Sequence, residues 1–314
     1  MAVGAAVHSP TAGRSRRARR DAIQGYLYIL PWILGFTLFT LGPMLASLYL
    51  SFFHWSILGT PRWAGFDNYI NAFAGKDPLF WLSWSRTWAY ALMFIPIGLT
   101  ISLLLAAMLN QKLKGTVFYR TLFFLPTLIP VVASALLWRW MLQPEVGLIN
   151  YILWNFRIPG PRWFSDINQA LPALVMISLW ASVGGSRMII FLAGLQGVPE
   201  EFYDAASIDG ANWFQRFMHI TLPMITPTIF FNLVLGVIGA LQVFSISFVA
   251  TDGGPAYATW FYMLHLYQNA FRSFLMGYAS ALAWIFFLVV LVLTLIQFRL
   301  SGSWVYYAGD EAAK

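Results

Sequence analysis

The side chains that could move protons or hold ions are few in this sequence, and they are unevenly placed. Its 314 residues include twelve carboxylates, all of which fall between long apolar runs rather than within them. The four histidines, His8, His54, His219 and His265, also lie outside these runs or at their ends. Proton-coupled carriers and pumps usually need carboxylates or histidines at membrane depth. The pattern therefore argues against proton-coupled transport.

Motifs for catalysis and metal binding are also missing from the sequence. There is no cysteine, so disulfides, thiolate nucleophiles and cysteine metal sites are excluded. A phosphate-binding loop needs a lysine followed by Ser or Thr, and none of the four lysines is followed by either. A lipid-modifying membrane enzyme would need clustered acids or histidines near the membrane edge, and no such cluster is visible. We predict a chain that is not an enzyme and binds no cofactor or metal, any ATP and Mg²⁺ being held by a separate ATPase.

The most informative stretch is 198–223, which reads VPEEFYDAASIDGANWFQRFMHITLP. It predicts two short helices around a glycine. Pro199 suits the first helical position, and Glu200 and Glu201 would face the positive end of the helix dipole. Gly210 can end this first helix, because glycine tolerates the left-handed backbone that closes many helices.

Two interpretations of this helix pair are possible. Ala205 and Ala206 leave a low surface that another protein could approach closely, whereas an amphipathic pair could instead lie on lipid headgroups. Asn212 can cap the second helix, and Pro223 would start the next apolar run. The stretch 198–223 carries four acidic residues and one arginine. This composition suits an anionic inner leaflet poorly, since that surface favours basic segments by about 1 kcal/mol per Lys or Arg. A protein partner is the better interpretation.

Long apolar runs make up most of the remaining sequence. Hydrophobic residues account for 59% of the chain and charged residues for 10%, against about 25% charged in soluble domains. A helix needs about 20 apolar residues to cross a hydrocarbon core of about 30 Å. Six runs reach that length: 25–53, 87–109, 117–141, 171–195, 224–250 and 277–300. We expect an all-α integral membrane protein, a six-transmembrane-helix bundle (25–300) with the cytoplasmic loop 198–223, a basic N-terminal tail (1–24) and a C-terminal tail (301–314).

The distribution of basic residues predicts the orientation of these spans. Five arginines lie between residues 14 and 20, just before a first run that is too long for a signal peptide. With this cluster in the cytoplasm, eleven Lys or Arg lie on the inner side and six on the outer side. We expect a multi-pass protein of the bacterial inner membrane with both termini cytoplasmic. The net charge of +7 then indicates membrane lipid, not nucleic acid, as the partner of the basic tail.

A family resemblance rests on the spacing within 198–223. The run Asp204-Ala205-Ala206, three residues, Gly210, nine residues, and Ile220-Thr221-Leu222-Pro223 resembles the EAA loop of ABC importer permeases. Asp204 departs from the usual Glu and shortens the reach of that carboxylate. The resemblance implies that the loop couples to an ATPase through Glu201, Asp204, Ala205, Ala206, Gly210, Ile220, Leu222 and Pro223, with residues 199–209 forming a coupling helix in a cleft of the ATPase.

Shorter stretches resemble the carbohydrate-importing branch of these permeases, which includes the maltose and glycerol-3-phosphate systems. They are GFDNYINAF (65–73), RTLFFLPTLIP (120–130), GLINYIL (147–153), LAGLQGVP (192–199) and TDGGP (251–255). The resemblance implies import of a sugar, oligosaccharide, polyol or sugar phosphate by alternating access. It also implies a second, homologous permease subunit, two copies of a cytoplasmic ABC ATPase, and an extracellular or periplasmic solute-binding protein.

Candidates for contact with the cargo lie on the fourth and fifth spans. Sugars are held by hydrogen bonds to hydroxyl groups and by stacking on aromatic rings. Residues of these kinds at suitable depth are Trp180, Ser182, Ser186 and Gln242, and the resemblance places Val183 and Val243 near the same pocket. Packing between helices is an alternative role for the serines. Arg187, a cation within the fourth span, is either functional or reaches the membrane interface with its long side chain.

One alternative function remains, an ion-coupled secondary carrier that works without an ATPase. The absence of carboxylates within the predicted spans disfavours it.

Overall fold

The structure is a computed structural model that describes residues 12–111 and 114–306, with side chains from residue 18 onward. Parts of both predicted tails are therefore outside it. The charged and titratable residues whose side chains are not described are His8, Arg14, Arg16, Arg17, Lys112, Tyr307, Asp310, Glu311 and Lys314.

Within the described residues, three continuous helices are long and apolar enough to cross a membrane. The first comprises α1 (Ala12–Phe36), a π-helical turn (Thr37–Leu41) and α2 (Gly42–Leu50); the others are α4 (Pro78–Leu109) and α16 (Met276–Ser301). Helix α4 begins well before the predicted residue 87, because the Asp77 carboxylate accepts a hydrogen bond from the Leu79 N–H at 3.0 Å and Pro78 occupies the first helical position.

The other three spans are each bent within the predicted apolar run. The bends are 94° between residues 116–128 and α6 (Val131–Met141), 52° between α8 (Ile167–Ser182) and α9 (Ser186–Gln196), and 65° between residues 213–224 and α13 (Thr226–Leu241). Prolines and glycines cause the breaks, since Pro130, Gly184-Gly185 and Pro227 lie at or beside them. Counting each bent pair as one span gives six, as predicted.

The segments before the bends are themselves composite. The first contains α5 (Thr116–Phe124) and a 3₁₀ turn (Leu125–Leu128); the other contains α11 (Trp213–Arg216), a π-helical turn (Phe217–Thr221) and α12 (Leu222–Met224). Pro223 therefore lies in a short turn of helix, and the straight part of the fifth span begins three residues later. Its predicted end at residue 250 was also wrong. The helix stops at Leu241, and a separate helix, α14 (Ser245–Ala250), follows.

Short elements connect the spans. They are the antiparallel pair β1 (Phe53–His54) and β2 (Arg62–Trp63), α3 (Asp67–Phe73), α7 (Leu148–Asn155), α10 (Glu200–Ile208), and α15 (Tyr262–Tyr267) with a π-helical turn (Gln268–Arg272). Asp252 and Gly253, in the connection after α14, have left-handed backbone, as in a turn.

Helix α4 is the centre of the bundle and packs against α8, α9, α13 and α15. Two groups of buried side chains surround it. The aromatic cluster includes Phe80, Trp84, Tyr90, Phe94, Tyr262 and Phe286; the hairpin-side cluster comprises Ala106, Leu109, Met188, Phe191, Leu192, Leu195, Val198 and Ile225. Polar links add to this packing. The buried Ser102 hydroxyl donates to the Val183 carbonyl at 2.9 Å, which ties α4 to the break between α8 and α9.

Candidate functional site

Residues 200–221 form a helical hairpin, which we call the coupling hairpin. Its first helix is α10, two residues shorter than the predicted 199–209. Pro199 is the N-cap with extended backbone, not the first helical residue. The helix ends in a Schellman motif: the Ala211 N–H donates to the Ala206 carbonyl at 2.9 Å, and Gly210 has a φ of +75°. Gly210 therefore reverses the chain, as its residue type predicts.

The second helix of the coupling hairpin starts at the cap that the sequence predicted. The Asn212 side chain accepts from the Gln215 N–H at 2.9 Å, and the Gln215 side chain accepts from the Asn212 N–H at 2.8 Å. This reciprocal capping box fixes the direction in which the chain leaves Gly210.

Polar and apolar contacts attach the coupling hairpin to the spans. The Tyr203 and Thr221 hydroxyls are 2.9 Å apart, joining the first helix to the end of the second. Tyr203 and Ile220 also pack against the hairpin-side cluster. The Arg216 guanidinium donates to the Ser207 hydroxyl at 2.9 Å, which links the two helices near the tip. The coupling hairpin is thus braced against the membrane helices.

The residues predicted to couple to an ATPase fall into two groups. Exposed or partly exposed positions on the first helix and its end are Glu201, Asp204, Ala205, Ala206 and Gly210. Half-buried positions at the base of the hairpin are Ile220, Leu222 and Pro223. Ile208, which was not among the predicted residues, is 87% exposed, and Trp213 and Phe214 are exposed nearby. The sequence feature that indicates this apolar tip is the pair of aromatic residues, Trp213 and Phe214, directly after Asn212.

A cavity of about 470 Å³ lies among the bent spans. Its walls come from the middle of α4, the break before α6, the end of α8, the start of α9, and residues 235–246. We call it the Arg187 cavity. Polar side chains in its lining are Tyr90, Thr127, Ser134, Ser178, Ser182, Arg187, Gln242 and Ser245. Aromatic rings come from Tyr90, Phe94 and Phe244, so the cavity offers both hydrogen bonds and stacking surfaces.

The structure brings three of the six predicted cargo residues together in this cavity: Ser182, Gln242 and Val243. The Ser182 hydroxyl donates to the Ser178 carbonyl at 2.7 Å and can still accept a bond. Gln242 is exposed and follows the last turn of α13. Gln242 lies in the cavity lining because α13 ends one residue before it, at Leu241.

The other three predicted cargo residues lie elsewhere. Trp180 and Val183 line a separate, apolar depression of about 890 Å³, and the Trp180 ring packs edge-on against Trp138 with centroids 5.4 Å apart. Ser186 is exposed and lines neither cavity. Trp180 and Val183 precede the break at Gly184-Gly185, as Ser182 does, and point to another side of the same helix; Ser186 follows the break, which changes the face that it presents.

Arg187 lies deep in the bundle and does not reach for the membrane interface. Its guanidinium carbon is 5.3 Å from the centroid of the Phe94 ring. Phe94 is the seventeenth of the 32 residues of α4, so it lies about 23 Å from either end at about 1.5 Å per residue. The side chain thus packs into the bundle beside the middle of α4, which favours the functional alternative for Arg187 over the interfacial one. The sequence reasoning also missed other cavity residues, such as Tyr90 and Phe244. Whether their side chains point into the cavity depends on how their helices pack against neighbouring spans, which the sequence of one span does not show.

The coupling hairpin and the cavity are joined by continuous chain, since α9 leads from Arg187 to the hairpin and residues 213–224 lead from it to α13. A displacement of the hairpin would therefore move two walls of the cavity.

Comparison with known proteins identifies relatives over most of the chain. Residues 98–304 match the family described as "Binding-protein-dependent transport system inner membrane component". The probable ABC transporter permease protein YesP of Bacillus subtilis is 43% identical, over 95% of this chain and 96% of its own length. The trehalose/maltose transport system permease protein MalF of Thermococcus litoralis is 32% identical, over 91% and 96%.

The fold is shared with a solved structure. A bacterial ABC transporter involved in the import of the acidic polysaccharide alginate contains a chain that aligns with a TM-score of 0.82, covering 92% of this chain and 98% of that one at 24% identity.

Proposed function

Since this chain belongs to the family of binding-protein-dependent transport system inner membrane components, we propose that it carries a carbohydrate through the Arg187 cavity and receives the power stroke of partner ATPases at the coupling hairpin. It is a multi-pass inner-membrane permease subunit of an ABC importer and is not itself catalytic. The proposal concerns its cargo, its partners and the residues that serve each.

The carbohydrate class is supported by relatives and by the chemistry of the cavity. Relatives named for their cargo include permeases for trehalose and maltose and, in a Rhizobium radiobacter system, for lactose. The Arg187 cavity combines hydroxyl and amide groups with aromatic rings, the combination that recognises sugars. We assign Ser182, Gln242 and Val243 to the cargo path. The cargo path would include Trp180, Val183 and Ser186 only if the bent fourth span rearranges during transport.

Coupling to an ATPase is supported chiefly by one observation: an exposed helix with acidic and small residues ends in a tight Schellman turn and is braced against two cavity walls. Glu201, Asp204 and Ala205 are exposed on this helix, so a partner could reach them. Closure of a nucleotide-bound ATPase pair around α10 would move the hairpin as a lever and switch the cavity from one side of the membrane to the other.

We assign further partners from the family and from exposed surface. The continuous helix from Ala12 to Leu50 buries none of its most apolar window within this chain, which supports packing against a second, homologous permease. Each of the two ATPase copies would bind the coupling hairpin of one permease subunit. A solute-binding protein would deliver cargo at the face opposite the hairpin. The domain limits (1–24, 25–300, 301–314) and the cytoplasmic termini remain predictions.

Single cysteines test the coupling and the orientation together, because the chain has no native cysteine. Ile208→Cys marks the exposed hairpin tip, and Ile57→Cys, 47% exposed in the connection between β1 and β2, is the matched control. A membrane-impermeant maleimide should label Ile208→Cys only in inside-out vesicles and Ile57→Cys only in right-side-out vesicles. In the assembled importer, a bifunctional reagent should join Ile208→Cys, and not the control, to the ATPase.

Deletion of residues 199–210 should abolish ATP-driven uptake while leaving the chain in the membrane. Labelling of Ile208→Cys from the periplasmic side, or the absence of any cross-link to the ATPase, would contradict the coupling role. The secondary-carrier alternative predicts uptake by the purified chain alone under an ion gradient. That result would remove the ATPase from the mechanism.

A further inference from the structure

The geometry points to an acidic saccharide as the cargo of the Arg187 cavity, with Arg187 binding its anionic group. This inference rests on the proposed function and deepens it, since it specifies the charge of the carbohydrate. The class comprises sugars that carry a carboxylate or a phosphate.

The first observation is that Arg187 is a cation without an anion. Its Nη1 atom is buried and has no hydrogen-bond partner. None of the residues that line the cavity is acidic, and the ion pairs found among the described residues do not include Arg187. A buried charge is strongly unfavourable unless it is paired. The contact with the Phe94 ring offsets only part of that cost, because a cation–π contact is weaker than a paired charge.

The second observation is the place of Arg187 in its helix. Arg187 is the second residue of α9, an eleven-residue helix whose N-cap, Gly185, provides no side-chain cap. Cations are unfavourable near a helix N-terminus, because the free N–H groups there give it partial positive charge. Helix and guanidinium together therefore make this wall of the cavity electropositive, which suits an anion rather than a neutral sugar.

The third observation is that glycines make room for the guanidinium. A Cβ added at Gly98 would overlap the Arg187 Nη1 atom, and one added at Gly236 would lie 3.6 Å from Nη2. Both glycines are on helices that border the cavity. The space is shaped around an arginine at mid-depth. Because Nη1 is enclosed against Gly98, a carboxylate or phosphate would bind along the Nε–Nη2 edge of the planar guanidinium through two parallel hydrogen bonds.

The remaining lining fits the rest of such a cargo. Tyr90 and Phe94 are stacked with ring centroids 5.4 Å apart and form one apolar wall beside the guanidinium. The Ser182 hydroxyl and the Gln242 amide belong to the same lining and can bind sugar hydroxyls. A ring could lie on the aromatic wall while its acidic group meets Arg187.

Binding to the assembled importer tests this inference directly. The probes are digalacturonate, the neutral galactobiose of the same linkage, and galactose 1-phosphate. Equilibrium binding is measured by calorimetry without nucleotide, in nanodiscs of phosphatidylcholine and, separately, with added phosphatidylglycerol. We expect the wild type to bind at least one anionic probe about tenfold more tightly than galactobiose. The two anionic probes distinguish carboxylate from phosphate.

Three variants identify the group responsible. Arg187→Gln should remove the preference for the anionic probe, and Arg187→Lys should keep part of it. Gly98→Ala should weaken anionic binding without removing any charge, because it displaces the guanidinium. Arg139→Gln is the matched control: Arg139 is also within a span but lines a different depression, so the preference should not change.

Equal binding of all probes by the wild type, or an unchanged preference in Arg187→Gln, would overturn the inference. Competition by phosphatidylglycerol that disappears in Arg187→Gln, without any preference for an anionic probe, would assign Arg187 to lipid and overturn it as well. Since nucleotide turnover is not involved, these outcomes are separate from a failure of ATP-driven uptake, which would contradict the proposed function instead.

Discussion

The hydroxyls of Tyr203 and Thr221 lie 2.9 Å apart and connect the coupling helix α10 to the base of the fifth span. Tyr203 packs against the hairpin-side cluster, and Thr221 follows Ile220, which also does, so the bond lies where a movement of the hairpin would be transmitted to the membrane helices. Within the described residues, this is the side-chain bond that joins the two helices of the hairpin at its base.

The first prediction concerns this bond. Tyr203→Phe should weaken the link by about 1 kcal/mol, the usual net value of a hydrogen bond, and lower the amount of cargo imported per ATP hydrolysed. Thr221→Val should have a similar effect, and the double variant should cost little more than either single one, because both remove the same bond. Purified importer in proteoliposomes gives both rates. Fully additive losses would show that the hydroxyls act separately.

The second prediction concerns Gly210. Its φ of +75° costs a residue with a Cβ about 1–2 kcal/mol, and nothing lies within 4 Å of the added Cβ, so Gly210→Ala should act through the backbone alone. We expect import to fall several-fold while the amount of assembled permease stays near normal. Gly302→Ala is the matched control, because Gly302 has an ordinary φ of −60° and equally free space. A comparable loss in the control would exclude this explanation.

The sequence allowed prediction of the spans and the hairpin because both depend on local signals. Apolar length predicts a membrane helix whatever surrounds it, and Gly210 and Asn212 carry their own turn and cap chemistry. The Arg187 cavity depends instead on how the breaks at Pro130 and Gly184-Gly185 rotate one half of a span against the other. The position of a residue in the sequence does not reveal that rotation. Ser182 lines the cavity, whereas Ser186, beyond the break, does not.

Depth was the other property that could not be read from the sequence. Arg187 precedes the predicted end of its span by only a few turns, which permits an interfacial position. The structure directs its side chain to the middle of α4 because Gly98 leaves space there. That space belongs to another helix, so it becomes visible only once the two helices are packed.

The third prediction concerns pH and the face opposite the hairpin. The Asp77 carboxylate is 2.8 Å from His265 Nε2 and accepts from the Tyr278 hydroxyl at 2.8 Å. Trp260 donates to His265 Nδ1 at 3.2 Å, which leaves His265 Nε2 facing the Asp77 carboxylate. Burial by itself raises the pKa of the Asp77 carboxyl. The hydrogen bond and the electrostatic attraction of His265, with further hydrogen bonds from Tyr278 and the Leu79 N–H, outweigh burial and hold the pKa below the ordinary 3.8.

A depressed carboxyl pKa means that the folded state favours the charged form. The resulting stability is present above pH 3.8 and is lost as the pH falls through the lower folded-state value. The thermal unfolding midpoint of the detergent-solubilised protein should therefore drop below about pH 4. Asp77→Asn should lower the free energy of unfolding by about 1–3 kcal/mol at neutral pH and flatten the acid drop. Asp67→Asn, which alters the exposed pair with His54, should change stability little.

The fourth prediction concerns the break in the fourth span. A Cβ at Gly185 would overlap the Thr127 hydroxyl, and Thr127 donates that hydroxyl to the Ala181 carbonyl at 3.1 Å. Gly185→Ala should therefore force two bent spans apart at the cavity wall and lower the free energy of unfolding by about 1–3 kcal/mol, as overpacking does. The measurement is the thermal midpoint of the purified chain.

A second change separates this clash from a simple loss of glycine. Thr127→Ala removes both side-chain atoms that approach most closely and leaves only its own Cβ, 3.2 Å from the added group. Gly185→Ala combined with Thr127→Ala should therefore be more stable than Gly185→Ala alone, even though Thr127→Ala by itself loses a hydrogen bond. If the double variant is less stable than either single variant, the two spans do not meet at this point, and the wall of the Arg187 cavity must be formed differently.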